Sequence, residues 1–372
     1  LVTSYMIDGL DNLTQTASPD TGIAGNTYDT AGLLQTSKDA RGLTTTYTYD
    51  ALNRVTKMAY ATGTATQFEY DGGGAVAPNA KGRLTRMTDE SGLTTYAYGP
   101  LSRLQSKVQT VISGTAARSF TVAYAYGASG SSTGKLTGVT YPSGNRINAA
   151  YDSAGRISSL TLNPTNAGGS GTNTGTSIPL LTDIGYQPFG PVRNWTWGNS
   201  SPTAANTYAR GFDLDGRITS YPLGNGVTDG TNRILTYDAA SRIGAATHVG
   251  TGTGNNAPAN FNQSYQYDDL DRLKGVAGST ISQGFQYDAN GNRTQATFGG
   301  TAYSNTIAAG SNRLTATAGP APAKSNQYDA AGNLASDGTV AYTYSARGRM
   351  SSAVNGGNTV NYLYNGLGQR TK

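Results

Sequence analysis

The stretch TYTYDALNRVTKMAY, residues 46–60, decides the fold. Thr and Tyr alternate up to Tyr49, the pattern breaks at residues 50–53, and alternation resumes at Arg54. Alternation of Tyr, Thr and Val is typical of a β-strand, whereas a short break containing Asp and Asn is typical of a turn. The stretch therefore predicts two strands joined by a tight turn.

The same phrase returns along the whole chain. It recurs as AYDSAGRISSL, GFDLDGRITS, TYDAASRIGA, QYDDLDRLKG, QYDANGNRTQ and QYDAAGNLAS. Copies open mostly about 20 to 30 residues apart, a spacing within the range of repeat architectures. The opening aromatic residues are Tyr28, Tyr49, Tyr70, Tyr98, Tyr126, Tyr151, Phe212, Tyr237, Tyr267, Tyr287, Tyr328, Tyr344 and Tyr364. The repeat predicts an all-β fold built as a continuous antiparallel meander of hairpins.

Positions two and five of the repeat define the turn. Position two is usually Asp, which accepts N–H groups at the start of a type I turn. Position five is Gly, Asn, Ser or Asp, most of which tolerate positive φ. The pattern predicts a type I turn followed by a left-handed residue, and Pro100 fits the same turn. The repeat-turn residues expected to be structural sites are Tyr49, Asp50, Asn53, Arg54, Tyr151, Asp152, Gly155, Arg156, Phe212, Asp213, Gly216, Arg217, Tyr267, Asp268, Arg272, Tyr287, Asp288, Gly291, Tyr328, Asp329 and Gly332.

A three-residue loop fixes the pairing of side chains across each hairpin. Asp50 should face Arg54 beside the turn, and Tyr49 should face Val55 on the other side of the sheet. Simple alternation also places Lys57 on the face of Tyr47 and Tyr49. Since Thr, Ser and Tyr occupy both faces, neither face is expected to be dry enough for a dense aliphatic core. Such a sheet suits a wall beside a cavity.

Composition excludes several function classes. Charged residues are 13% of the chain, and the net charge of +5 is spread over the repeats without the clustered basic face that nucleic-acid binding favours. The chain has no cysteine, so it has neither disulfides nor thiolate metal ligands. No apolar run reaches the length of a membrane-spanning helix. We therefore expect no nucleic-acid partner and no membrane span.

Three segments do not follow the repeat pattern. Residues 163–177 and 249–260 are low-complexity stretches of Gly, Ser, Thr and Asn, expected as solvated hairpin tips. The segment GYQPFGPVRNWTWGNS, residues 185–200, carries Trp195 and Trp197 on one strand face. These two residues are expected to be a packing plug, and the alternative is an aromatic platform for a sugar or another ligand.

No active site is evident in the sequence. The chain has one histidine, His248, beside the second low-complexity stretch, where we expect an exposed or half-exposed structural role. Most carboxylates are committed to turns, and no calcium-loop pattern is present. The sequence therefore predicts no catalytic, cofactor-binding or metal-ligating residue, and no cofactor.

The repeated unit Tyr-Asp-x-x-Gly-Arg-Leu/Ile, with the phrases GKLTGVTYPSG and GYQPFGPVRNWTWGN, resembles the YD-repeat proteins, also called RHS-repeat (rearrangement hotspot) proteins. The resemblance covers nearly the whole chain. It implies a β-sheet strip spiralling into a hollow shell around a C-terminal toxic segment, as in bacterial toxin-complex C subunits and polymorphic toxins. The similar teneurins of animals use such a barrel in adhesion.

The family's aspartate-based self-cleavage motif, resembling Asp-Pro-x-Gly, does not occur in this sequence. No self-cleaving residue is therefore carried over, and no toxin activity is assigned. Because both ends resemble the middle of a repeat, we expect residues 1–372 to be a single YD/RHS-repeat ribbon from a longer chain.

Three functions follow as hypotheses. The first is a non-catalytic shell of a secreted or surface bacterial protein that encloses or presents a C-terminal toxin or effector. The second is an extracellular filament or adhesin assembled from copies of itself. The third is a carbohydrate-binding surface module that uses Trp195 and Trp197, with a cell-surface glycan or protein as partner.

Overall fold

A computed structural model describes residues 1–72, 77, 79–165, 176–198, 206–223, 231–250 and 257–372. The chain divides into two compact units. The first unit comprises residues 1–121, 287–295 and 303–372, and the second comprises residues 122–286 and 296–302. That residues 1–372 form one ribbon stays a prediction.

The described elements are strands, apart from three single-turn 3₁₀ helices, Pro100–Ser102, Gly130–Ser132 and Pro258–Phe261. The first strands are β1 Ser4–Ile7, β2 Leu13–Ser18, β3 Gly22–Tyr28, β4 Leu34–Lys38, β5 Thr44–Tyr49, β6 Val55–Tyr60, β7 Thr66–Tyr70, β8 Leu84–Asp89, β9 Gly92–Tyr98, β10 Leu104–Ser113 and β11 Ala116–Tyr126. Next come β12 Leu136–Thr140, β13 Arg146–Tyr151, β14 Ile157–Asn163, β15 Ile178–Tyr186, β16 Val192–Trp197, β17 Thr207–Ala209, β18 Gly211–Phe212, β19 Ile218–Leu223, β20 Thr231–Tyr237, β21 Ile243–Val249, β22 Gln263–Tyr267, β23 Leu273–Ala277 and β24 Ser282–Tyr287. The last are β25 Arg293–Phe298, β26 Thr301–Ile307, β27 Leu314–Ala318, β28 Lys324–Ser325, β29 Gln327–Tyr328, β30 Leu334–Ser336, β31 Ala341–Tyr344, β32 Met350–Asn355 and β33 Asn358–Asn361.

Consecutive strands pair antiparallel within each unit. In the first unit this holds from β1 to β10, from β26 to β28 and from β29 to β33. In the second unit it holds from β12 to β17 and from β18 to β24. The predicted all-β meander of hairpins is confirmed.

A β-bulge beside the repeat turn sets the register of each hairpin. Tyr49 lies opposite Val55, but Thr48 lies opposite Lys57, so one residue of β6 has no counterpart on β5. The same shift precedes Tyr28, Tyr70, Tyr151, Phe212, Tyr237, Tyr267 and Tyr344. An extra residue turns the rest of the strand over. The placement of Lys57 on the face of Tyr47 and Tyr49 was therefore wrong: Lys57 is exposed, and Met58 pairs with Tyr47.

Few apolar side chains are buried. Among the described residues, the buried apolar side chains are those of Ala80, Met87, Ala246, Pro258, Val276 and Ala296. Equally buried positions hold polar groups, among them Thr66, Ser91, Thr94, Thr196 and Asn365. The strands thus pack without a dense aliphatic core, in contrast to the cores of most globular domains.

The two low-complexity stretches fall largely outside the described residues. β14 ends at Asn163 and β15 begins at Ile178, so the stretch 163–177 separates two paired strands. Of the stretch 249–260, Val249 ends β21 and residues 257–260 are described, with Pro258 opening a 3₁₀ turn. Residues 166–175 and 251–256, which form the greater part of the predicted tips, lie outside the described residues.

Candidate functional site

The repeat turns have the conformation that a left-handed fifth residue requires. In the hairpin of Tyr49, the N–H of Asp50 donates to the Arg54 carbonyl at 3.0 Å, and the N–H of Asn53 donates to the Asp50 carbonyl at 3.0 Å. Asn53 has φ 61°. Positive φ also occurs at Gly32, Ser102, Gly155, Gly216, Ser241, Asp271, Gly291, Gly332, Gly348 and Gly368. The turns that join β4 to β5, β8 to β9 and β12 to β13 have positive φ at Gly42, Gly92 and Gly144, respectively.

The Asp at position two holds the turn with both carboxylate oxygens. Asp50 Oδ1 accepts the N–H groups of Leu52 at 2.9 Å and Arg54 at 3.0 Å, and Oδ2 accepts Arg54 Nε at 2.7 Å. The backbone N–H of Arg54, together with its guanidinium, holds the pKa of Asp50 below its usual range. Arg pairs with Asp in the same way at Asp152–Arg156, Asp213–Arg217, Asp238–Arg242 and Asp268–Arg272. Asn replaces Arg at Asp288–Asn292 and Asp329–Asn333.

The turn at Pro100 differs from the prediction. Leu101 already has φ 61°, which a type I turn does not allow at its third residue. Position two of this turn is Gly99, which has no carboxylate to hold the N–H of Leu101. A positive φ at the position of Leu101 is characteristic of a type II turn.

The arginines also connect one repeat turn to the next. Arg54 Nη2 donates to Asp71 Oδ2 at 2.7 Å, and its guanidinium lies 4.3 Å from the ring centre of Tyr70. Arg217 Nη1 donates to Ser241 Oγ at 2.8 Å, and Arg242 forms an ion pair with Asp271. The sequence predicted only the contact of each Arg with the Asp of its own turn. The contact with the neighbouring turn could not be predicted, because it depends on which strands lie side by side.

A second link between repeats is made by the tyrosine hydroxyls, and sequence reasoning missed it. Tyr49 Oη donates to the Leu34 carbonyl at 2.8 Å, one hairpin back along the chain. Equivalent bonds of 2.7–3.0 Å join Tyr28 to Leu13, Tyr70 to Val55, Tyr98 to Leu84, Tyr151 to Leu136, Tyr186 to Ile157, Tyr237 to Ile218, Tyr267 to Ile243, Tyr328 to Leu314 and Tyr344 to Leu334. The repeated choice of Tyr over Phe at position one is the signal that could have revealed this ladder.

Within the first unit, turns from the end of the chain bind turns from its beginning. Asn312 donates through its backbone N–H and its side chain to the Asp20 carboxylate, and Arg313 donates to the Asp20 carbonyl. Farther along, Arg41 Nη1 donates to the Ser345 carbonyl at 3.0 Å. These polar contacts join segments roughly 300 residues apart in sequence.

The two tryptophans lie together in the second unit. Trp195 and Trp197 meet edge to face at 5.7 Å between ring centroids, and Tyr208 stacks on Trp195 at 4.2 Å. Register explains the stack, because Tyr208 lies directly opposite Trp195 on the neighbouring strand. The Arg210 guanidinium lies 5.1 Å from the Trp195 ring centre. We call Trp195, Trp197, Tyr208 and Arg210 the aromatic patch.

His248 is not an exposed residue, so that expectation was wrong. Only 4% of its surface is exposed, and its Nε2 accepts Arg233 Nε at 2.9 Å across the strand pair. Burial lowers the pKa of His248, which keeps the ring neutral at pH 7. The hydrogen bond between Arg233 and His248 joins β20 to β21.

No cluster of three or more His, Asp or Glu side chains in the described ranges is placed to hold a metal ion. Nor does the described part of the chain contain a helix that is long and apolar enough to cross a membrane.

Two models of known protein families match this sequence. A model of the RHS repeat matches residues 28–65 and 79–116, and a model of the teneurin YD-shell matches residues 235–372. Together the two models cover more than half of the chain. No curated protein matches it.

Solved structures share the fold. A crystal structure of TcdB2-TccC3 aligns with a TM-score of 0.80 and 18% identity, and one of TcdB2-TccC3 without its hypervariable C-terminal region aligns with 0.81 and 17%. The Tc holotoxin pore of Photorhabdus luminescens, with a substitution in TccC3, aligns with 0.81 and 16%. Each alignment covers 99% of this chain and 20% of the other. The chain thus spans about a fifth of those proteins, and the likeness is one of fold.

Proposed function

Because this chain belongs to the RHS-repeat, or YD-repeat, family, we propose that it is part of a β-shell wall that encloses or presents a C-terminal toxin or effector polypeptide. The shell fold gives the chain a structural role. The enclosing role, the absence of catalysis and a location outside or on the surface of a bacterial cell are parts of the proposal.

One observation carries the proposal, namely that the polar side chains of the repeat are used to join strands. The Asp carboxylates hold their own turns, the Arg groups reach the next turn, and the Tyr hydroxyls bind the preceding hairpin. A side chain in these contacts is not available for general acid–base or nucleophilic chemistry, which needs a free group beside a reacting atom. The few buried apolar residues are consistent with a sheet that has solvent on both faces.

The test uses the full-length polypeptide that carries this segment. Native protein is digested with trypsin, and peptides from the segment that follows the YD repeats are timed by mass spectrometry. If the repeats enclose that segment, its peptides appear much later than from urea-unfolded protein. Equal release rates in the two states would overturn the proposal.

A matched pair of variants locates the effect within the first unit. Arg313→Gln removes the bonds from the guanidinium to the Asp20 carbonyl, whereas Arg86→Gln changes an exposed arginine 3.7 Å from Glu69. If contacts between the two ends of the chain close the wall, Arg313→Gln accelerates release and Arg86→Gln leaves it unchanged.

A specific observation also favours self-assembly as a second candidate function. Strand β1 exposes Tyr5, Met6 and Ile7 at 62%, 58% and 61% of their surfaces. An exposed apolar strand promotes association between sheets. Light scattering and electron micrographs of this chain test the idea: Met6→Lys should abolish any filaments, and a wild-type chain that stays monomeric would exclude them.

A further inference from the structure

The aromatic patch separates two cavities of the second unit. One cavity of about 330 Å³ is lined by Leu160, Leu181, Trp195 and Trp197, among others. A second cavity of about 550 Å³ is lined by Tyr208, Ile218, Leu235 and Tyr237, among others. Arg210 lines both cavities, and so it lies between the two recesses. Arg217 also lines the larger cavity, but it is paired with Asp213 and Asp215.

Arg210 differs from the arginines of the repeat turns. Arg54, Arg156, Arg217, Arg242 and Arg272 each pair with an Asp. No Asp or Glu among the described residues lies within ion-pair distance of Arg210, whose contacts are the rings of Trp195 and Tyr208. A guanidinium held by two rings, without an acid, leaves its N–H donors available for a carboxylate.

The arrangement selects among ligands. A fatty acid carries its charge at one end and could fill only one recess while its carboxylate meets Arg210. An acidic sugar would need several polar partners, whereas the walls of the smaller cavity are mainly Leu, Ile and Val side chains. In an extended peptide the side chains two residues before and two residues after an acidic residue lie on the same face as the acid, so such a peptide satisfies both conditions.

We propose that the aromatic patch binds an extended polypeptide segment in which an Asp or Glu is flanked on each side by large apolar side chains. The acid pairs with Arg210, one apolar side chain enters the recess of Trp195 and Trp197, and another enters the recess of Tyr208 and Leu235. Trp197 is 53% exposed, so the recess is open to solvent. This binding does not depend on whether the chain encloses a cargo.

The chain provides its own reporter, because Trp195 and Trp197 are its only tryptophans. Their fluorescence is titrated with the synthetic peptide Ser-Leu-Phe-Asp-Leu-Leu-Ser. The expected result is a saturable blue shift as both rings lose water. Replacement of Asp by Lys in the peptide should weaken binding at least tenfold, because a charged hydrogen bond is exchanged for repulsion. Replacement of the Leu and Phe residues by Ser should abolish the shift.

Two variants of the chain test the role of Arg210. Arg210→Gln should weaken binding of the Asp peptide about tenfold and remove the preference over the Lys peptide. Arg193→Gln is the control, because Arg193 is exposed on the adjacent strand and lines neither cavity. Circular dichroism of both variants checks the fold, and the peptide series on the unaltered chain tests the proposal without any variant.

Four outcomes would overturn the proposal. They are the absence of a shift with the Asp peptide, equal binding of the Asp and Lys peptides, unchanged affinity in Arg210→Gln, and tighter binding of dodecanoate or glucuronate than of the peptide. Tighter dodecanoate binding would indicate a lipid site, and tighter glucuronate binding an acidic-sugar site.

Discussion

Two hairpins of the molecule have the same backbone frame and different side-chain chemistry. Residues 49–55 and residues 186–192 each run for seven residues from a Tyr to a Val. In the second hairpin, the N–H of Gln187 donates to the Pro191 carbonyl and the N–H of Gly190 to the Gln187 carbonyl, both at 3.0 Å. These bonds match those of Asp50 and Asn53 in position and length. Both hairpins also have the bulge and the tyrosine hydroxyl bond.

The difference lies at positions two and four. In the hairpin of residues 49–55, the regular hairpin, the Asp50 carboxylate accepts the N–H of Leu52, and the positive φ occurs at Asn53. In the other hairpin Gln187 replaces Asp, and the positive φ occurs one residue earlier, at Phe189. The hairpin frame therefore does not need the Asp–Arg pair. The Asp carboxylate holds the N–H groups of its own turn, and the arginine joins neighbouring turns.

The largest expected effect tests the fifth position of the regular turn. Gly332 has φ 81°, and a Cβ there would lie 2.3 Å from the Asp20 carbonyl oxygen. Gly332→Ala combines left-handed strain of about 1–2 kcal/mol with a backbone clash of about 1–3 kcal/mol, and should lower the free energy of unfolding by about 3 kcal/mol. Urea unfolding measures it.

Gly216→Ala is the matched control. Gly216 has φ 77° and open space around the Cβ position, so only the strain of about 1–2 kcal/mol applies. Equal losses in the two variants would show that the contact between Gly332 and Asp20 contributes nothing.

The two hairpins should also differ in their response to pH, because only the hairpin of residues 49–55 holds a carboxylate. Hydrogen bonds lower the pKa of Asp50, and the bond from Lys324 lowers that of Asp337 to about 2. A carboxyl whose pKa is lower in the folded state stabilises the fold above its unfolded pKa of about 4, and this contribution is lost as pH falls through the folded value. The melting temperature should therefore decline between about pH 4 and pH 2.

A neutral version of the turn already occurs in the molecule. Asn365 accepts the N–H groups of Leu367 and Gln369, and its Nδ2 donates to Gln369 Oε1. The double variant Asp50→Asn/Arg54→Gln copies this turn, keeps the fold and should make the decline below pH 4 shallower. Gln187→Ala in the other hairpin should leave the slope unchanged. A slope that is the same in all three proteins would contradict the assignment.

A smaller effect on stability is expected from the tyrosine hydroxyl bond, which both hairpins have. Tyr49→Phe and Tyr186→Phe each leave a carbonyl, of Leu34 or Ile157, without its hydroxyl donor. Each should cost about 1 kcal/mol of unfolding free energy. Tyr5→Phe, at a side chain that is 62% exposed, is the control and should change stability by less than about 0.5 kcal/mol. Unequal losses at Tyr49 and Tyr186 would show that the frames are not equivalent.

The hairpins could be predicted from sequence because their determinants are local. The residue type at position five, often Gly, Asn or Ser, indicates where the left-handed residue lies. The length of the loop then predicts the cross-strand pairs Tyr49–Val55 and Tyr267–Leu273. The face of the sheet on which each side chain lies beyond the turn could not be predicted. The bulge adds one residue to the strand, and the alternation of residue types does not show where. Lys57 was misplaced for that reason.

The candidate site was only partly predictable. The nearness of Trp195 and Trp197 follows from their spacing on one strand, but the contact with Tyr208 and Arg210 requires the register of β16 against β17. The burial of His248 likewise depends on its cross-strand partner Arg233 and on the Asn262 side chain, whose Oδ1 accepts the backbone N–H of His248. Contacts between strands are set by tertiary pairing, and a single sequence encodes them weakly.

In the smallest expected effect, substitution by glycine at position four changes the free energy of unfolding in opposite directions in the two hairpins. Phe189 is fully exposed at φ 56°, where a left-handed residue other than glycine costs about 1–2 kcal/mol. Phe189→Gly removes that strain, pays about 0.5–1 kcal/mol of chain entropy, and should raise the free energy of unfolding by about 0.5 kcal/mol. Leu52→Gly, at the same position of the regular hairpin but without positive φ, should lower it by about 0.5–1 kcal/mol. Urea unfolding of both variants measures the difference, and a loss of stability in both would mean that the left-handed conformation of Phe189 carries no strain.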